Sequence, residues 1–75
     1  MRPNMKAERA RAGLTGKQVA HRIGVHENAL LKWERGEAEP LADNLIRLAH
    51  LYGCTPDYLM GYTDDRNGVA VASSR

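Results

Sequence analysis

Apolar residues recur along this chain at helical rather than strand spacing. Val19, Ala20 and Ile23 share one face of a segment at 16–23, at the i, i+3, i+4 spacing of a buried stripe. Leu30 and Trp33 do the same over 27–35, and Leu45, Leu48 and Ala49 over 42–52. Glycines at 13, 24, 36, 53 and 61 each follow such a segment, where a chain leaving a helix turns left-handed. The pattern predicts helices over about 4–12, 16–23, 27–35, 42–52 and 56–60. Thr15 with Gln18 forms a capping box for the second, and Thr55 before Pro56 caps the fifth. The first is polar and alanine-rich and fixes its own face least well. Val69–Ala72, after an Asn67-Gly68 turn pair, is the one strand-like run. The expected fold is all-α, a compact bundle of five short helices. Its expected core is Met5, Leu14, Val19, Ala20, Ile23, Val25, Leu30, Trp33, Leu45, Leu48, Ala49 and Leu59, with Tyr52 or Tyr58 partly included.

The stretch Thr15–Gly36 specifies more than two helices in succession. Gly24 supplies the positive φ that ends the first of them, and Val25 plugs the turn from inside. Ala20 lies one turn earlier, where a larger side chain would hold the helices apart. Small, bent and apolar positions thus fall where a tight helix-turn-helix requires them, a unit that suits the major groove of DNA. With Leu30 and Trp33 facing inward, Glu27, Asn28, Leu31 and Lys32 face outward. Asn can pair with adenine N6 and N7, Lys can donate to guanine O6 and N7, Glu can accept from cytosine N4, and Leu can touch a thymine methyl. Thr15, Gly16 and Lys17 begin the second helix, where free N–H groups and the helix dipole favour a phosphate. Arg35, at the end of the third, is another phosphate candidate.

The residues Arg9, Gly13-Leu14-Thr15, Val19-Ala20, Ile23-Gly24-Val25, Leu30, Trp33-Glu34-Arg35-Gly36, Pro40, Asn44-Leu45, Leu48-Ala49, Gly53 and Asp57-Tyr58-Leu59-Met60-Gly61 carry a family likeness. Over roughly residues 4–62 the chain resembles the Cro/C1-type (XRE-like, phage repressor) helix-turn-helix DNA-binding proteins. The resemblance implies a lambda/434 repressor-like bundle, base contacts from the same four outward residues, and an ion pair between Arg9 and Glu34. A charge beside Trp33 in so small a core also needs a partner on physical grounds. The resemblance further implies pairing of two copies through the last helix and the loop before it. Three positions depart from the family pattern. Gly16 replaces a usual Gln, His26 replaces the usual Ser or Thr cap, and Glu8 stands where an aliphatic residue is commoner. Glu27 compensates partly for the poor cap by placing negative charge at the helix N-terminus.

Net charge sharpens this picture. The overall +2 conceals +5 over residues 1–36, with eight Lys/Arg against three acids, and −3 over the remainder. The half containing the helix-turn-helix therefore carries the field that attracts phosphates. Seventy-five residues make one small domain, expected over 4–61, followed by a tail over 62–75 that is either flexible or a dimer-stabilising strand. The single Cys54 excludes an internal disulfide and reads as a small buried residue in a reduced chain. No apolar run approaches the ~18 residues of a membrane span, so a soluble, cytoplasmic protein is expected. His21, His26 and His50 lack metal-ligand spacing, no serine precedes Ser73, and no glycine-rich phosphate loop is present. Neither an enzyme nor a metal, cofactor or small-molecule ligand is expected.

These observations point to a sequence-specific DNA-binding transcriptional regulator, a repressor, acting as a homodimer on an inverted repeat of double-stranded DNA. The pairing surface is expected on the acidic half, where Leu41, Leu51, Tyr58, Met60 and Tyr62 exceed what the core can bury. Seventy-five residues leave no room for a ligand-binding domain, so control is expected from expression level, a partner protein or operator competition. Two alternatives remain: the antitoxin of a toxin–antitoxin pair, and an interaction module that sequesters another regulator. The +5 over the helix-turn-helix half argues against a reader that has lost DNA binding.

Overall fold

Residues 2–67 are described by the computed structural model, and among them are five helices and no strand. The helices are α1 (Pro3–Ala12), α2 (Gly16–Ile23), α3 (Glu27–Arg35), α4 (Ala42–Tyr52) and α5 (Pro56–Leu59). Local chemistry sets their limits. Thr15 Oγ1 accepts from the Gln18 N–H at 3.1 Å, and Gln18 Oε1 accepts from the Thr15 N–H at 2.8 Å, closing the capping box of α2. Thr55 Oγ1 accepts from the Tyr58 N–H at 3.3 Å to start α5. His26 precedes α3 without capping it through its side chain, and Glu27 supplies the negative charge of the first turn.

Gly24 adopts φ +77°, and the Val25 N–H reaches back to the Ala20 carbonyl at 2.9 Å. This six-residue closure reverses the chain within one residue and fixes how α3 leaves α2. The same closure ends the other helices, as in Leu14 to Arg9 and Cys54 to Ala49.

Met5, Val19, Ile23, Leu30, Trp33, Leu48, Ala49, Tyr52 and Leu59 form the core, with Leu14, Val25 and Leu45 against its edge. Ala20 is buried where α2 meets α3. Tyr52 rather than Tyr58 joins the interior, and Tyr58 stays half-buried.

α1 is held differently. Its apolar contribution to the core is Met5, and polar contacts do the rest. The Arg2 N–H donates to the Glu34 carbonyl at 2.8 Å. The Arg2 guanidinium donates to the carbonyls of Trp33 at 2.6 Å and Ala38 at 3.0 Å, and pairs with Glu39. Asn4 Nδ2 donates to the Tyr58 carbonyl at 2.8 Å. Such contacts leave no hydrophobic period, which is why the face of α1 is faint in the sequence.

The chain after Gly61 also differs from expectation. Residues up to 67 return to the bundle instead of leaving it at 61. The Thr55 N–H donates to the Arg66 carbonyl at 3.0 Å. Arg66 Nε and Nη2 grip the two oxygens of Glu8 at 3.1 and 2.8 Å, and Nη2 also reaches the Tyr52 carbonyl at 3.1 Å. The physical reason is Glu8 itself, whose side chain is only 4% exposed. A carboxylate buried at that position needs a cation. The expected strand at Val69–Ala72 lies outside the described residues. No described helix is long and apolar enough to cross a membrane.

Candidate nucleic-acid interface

α3 buries Leu30, Trp33 and Glu34 along one side. The 100° advance per residue then places Asn28, Leu31, Lys32 and Arg35 along the opposite side. Glu27, seven residues before Glu34, flanks the buried side and is exposed as the first residue of the helix. Glu27, Asn28, Lys32 and Arg35 are exposed and Leu31 is half-buried. The stripe therefore holds one apolar contact among groups that donate, accept or do both, as reading base edges requires.

The phosphate candidates divide. Lys17 is exposed and joins no ion pair among the described residues, as is true of Lys32. Lys17 also lines a shallow groove on the outer side of α2 with Gln18, His21 and Arg22. Thr15 is exposed, but its N–H and one lone pair of its hydroxyl are engaged in the capping box. Gly16 is buried, beneath Glu27 and Leu31. Arg35 forks onto Glu37 at 2.9 and 3.3 Å, and that guanidinium holds the Glu37 carboxyl below its ordinary pKa. Both partners are about half exposed, so solvent screens the pair and a phosphate can compete for Arg35.

Not every cation of the basic half faces outward. Arg2 is used on carbonyls and Glu39, and Arg9 is used on Glu34. Arg9 Nε lies 2.7 Å from Glu34 Oε2 and Nη2 lies 2.9 Å from Oε1, a two-pronged pair with the Glu34 carboxylate 5% exposed. Hydrogen bonding to Glu34 raises the Arg9 pKa, although burial pulls it the other way. The Tyr52 hydroxyl nearby is buried and has no hydrogen-bond partner among the described residues. Burial first, and then the Glu34 charge, push its pKa well above the ordinary phenol value. The pair ties α1 to the end of α3, so it fixes how the outward stripe is presented.

On the expected pairing surface, Leu51 and Met60 lean on the core and Tyr58 is half-buried. Tyr62 remains 75% exposed, together with Leu41 at 74% and Ile46 at 47%. Ile46 escaped the sequence reading, yet its position between Leu45 and Leu48 on α4 marked it as outward. Arg2, Glu8 and Arg66 have no local signal as structural groups, because Arg2 reaches the Trp33 carbonyl 31 residues away and the Glu8–Arg66 pair spans 58.

Residues 5–59 match the helix-turn-helix family. Among curated relatives, the HTH-type transcriptional regulator ImmR of Bacillus subtilis is 37% identical over 57 residues, covering 76% of this chain and 45% of that protein. Repressor protein C2 of Salmonella phage P22 is 33% identical over 73 residues, covering 97% of this chain and 34% of that protein. The 26 kDa repressor protein of Escherichia phage HK022 is 38% identical over 69 residues, covering 89% and 29%. The chain thus spans less than half the length of these relatives. Among solved structures, the P22 c2 repressor in complex with a synthetic operator is similar with a TM-score of 0.71 at 34% identity, over 75% of this chain and 85% of that one. The solution structure of the P22 c2 DNA-binding domain gives a TM-score of 0.71 at 27% identity, over 95% and 87%.

Proposed function

Because the chain belongs to the Cro/C1-type helix-turn-helix family, we propose that it is a sequence-specific DNA-binding transcriptional regulator. It acts as a repressor by laying α3 in the major groove of an operator. The observation that carries this reading is the outward stripe of Glu27, Asn28, Leu31 and Lys32, flanked by Lys17 on α2, which is exposed and joins no ion pair among the described residues. The apolar side of α3 is spent on the core, so its polar side is free for another molecule. The likeness to a repressor solved with its operator supports the same docking. Lys17 and Arg35 hold phosphates, while Asn28 and Lys32 read bases.

Two copies bind an inverted repeat. One α3 covers only a few base pairs, and a two-fold pair places half-sites about 34 Å apart, one turn of DNA. Exposed Tyr62, beside half-buried Tyr58 and Met60 at the end of the bundle, supplies apolar surface for that pairing. The regulator works by binding, with no catalytic step, in the cytoplasm. The test is affinity for duplex DNA against salt. The reading expects log K to fall linearly with log salt, at a slope of about −0.9 per phosphate contacted. Binding with no salt dependence, or none at all, sinks it.

A further inference from the structure

Gly16 departs from the other glycines of this fold. At Gly13, Gly24, Gly53 and Gly61 the φ angle is positive and a Cβ would meet nothing within 4 Å. Those positions use the conformational freedom of glycine. Gly16 has no positive φ, so its backbone suits any residue. What sets it apart is that two side chains pack over it. A Cβ at Gly16 would lie 3.4 Å from Glu27 Oε2, 3.4 Å from Leu31 Cδ2 and 3.8 Å from Glu27 Cγ. These are ordinary van der Waals distances, so a methyl fits, but a side chain longer than alanine would compete for that space with two residues of the outward stripe on α3.

We propose that Gly16 is a positioning residue for DNA specificity: its bare backbone seats Glu27 and Leu31 against α2, so that the Glu27 carboxylate meets one base pair as a fixed acceptor. The inference rests on the DNA-binding reading above and goes on to name the base recognised. A carboxylate only accepts hydrogen bonds. In the major groove, guanine offers two acceptors and thymine a carbonyl, both of which repel it. Adenine places its N6 donor beside the N7 acceptor. Cytosine offers its N4 amino group beside its own C5–H, where adenine has the N7 acceptor, so cytosine is the base that a held Glu27 selects. Leu31, packed on the same glycine, presents an apolar edge suited to a thymine methyl on a neighbouring pair. Without the seat, Glu27 at the tip of an exposed helix end would sample several rotamers and select weakly.

The test measures affinities of the full chain for a panel of duplexes carrying each base in turn at every position of the half-site. Four proteins are compared: wild type, Gly16→Ala, Gly16→Gln and Glu27→Gln. The atoms nearest Gly16 are the ends of flexible side chains on the surface, so a larger residue displaces them without opening the core. Wild type is expected to favour cytosine at one position by roughly tenfold. Gly16→Ala, whose methyl only reaches van der Waals contact, keeps that preference. Gly16→Gln loses it at that position alone, as Glu27→Gln does, with its melting temperature and salt slope retained. Cytosine preference surviving in Gly16→Gln, or discrimination falling equally at every position, overturns the proposal. Selective wild-type binding without a cytosine preference overturns it too and leaves the DNA-binding reading standing. Absence of salt-dependent binding by the wild type overturns both.

Discussion

The Glu34 carboxylate lies beside Trp33 with each oxygen taking a hydrogen bond from Arg9, at 2.7 and 2.9 Å. Removing one member of such a pair leaves the other charge poorly solvated. Glu34→Ala is therefore expected to lose about 3–5 kcal/mol in a denaturant melt. A loss below about 1 kcal/mol would mean that the pair behaves as a surface contact. On the outward side the expectation is reversed, with little stability lost and recognition changed. Asn28→Ala should cost about 1–3 kcal/mol at one base pair and relax the choice there. Lys17→Ala should weaken all sequences alike and reduce the salt slope by about 1, readable from affinities at several salt concentrations. The outward stripe was legible in the sequence because it is the complement of Leu30 and Trp33 on one helix. The grip of Arg66 on Glu8 was not, since no local period links residues 58 apart. Gly16 was legible only as the first residue of α2, because its neighbours come from another helix.

Helix limits were legible nearly to the residue, because caps and glycine closures act within six positions. α1 begins one residue before its expected start and α5 ends one before its expected stop. Gly24 makes the two-helix unit depend on a single backbone angle. Nothing lies within 4 Å of a Cβ built there, so Gly24→Ala pays for conformation alone. A loss of about 1–2 kcal/mol is expected by thermal or denaturant melting, with Gly24→Asn milder because Asn tolerates the left-handed region. No measurable loss would mean that the turn relaxes.

The chain after α5 is held by a titrating contact. The Arg66 hydrogen bonds lower the Glu8 pKa below its ordinary value of 4.5, against the opposing pull of burial. A depressed carboxylate stabilises the fold above its unfolded pKa, and that contribution is lost as pH falls through the lower folded value. In Arg66→Ala burial acts almost alone and raises the Glu8 pKa, with Arg11 4.0 Å away the remaining cation. The variant should then be least stable relative to wild type near neutral pH. The deficit should start to close as pH falls through its own raised Glu8 pKa, above 4.5, with the Glu8 part gone only below the depressed wild-type value. Melting temperatures across pH read this directly. A deficit independent of pH would show that Arg66 acts through packing.

At the scale of the whole molecule, the proposed reading assigns recognition to the basic half and pairing to the acidic half. Glu39 and Glu37 from beyond residue 36 neutralise Arg2 and Arg35, while Arg66 neutralises Glu8, so the outward positive field is smaller than the +5 of residues 1–36 suggests. Lys17, Arg22 and Lys32 carry much of it. The exposed apolar surface is led by Leu41, Ile46 and Tyr62, which is modest beside the roughly 1,600 Å² of a standard interface. Two copies are therefore expected to pair weakly in solution and firmly on DNA. Tyr62→Asp should leave the fold intact and abolish cooperative filling of two half-sites, while binding to one half-site survives. Unchanged stoichiometry and cooperativity on the full site would place the pairing surface elsewhere. Selection of bound duplexes from random DNA tests α3 as the reading element most directly. The enriched sequences should form an inverted repeat with half-site centres about 10–10.5 base pairs apart, and Asn28→Ala should lose one symmetric pair of positions from it. No enriched sequence, or an enriched sequence that Asn28→Ala, Lys32→Ala and Glu27→Gln all leave unchanged, would contradict it.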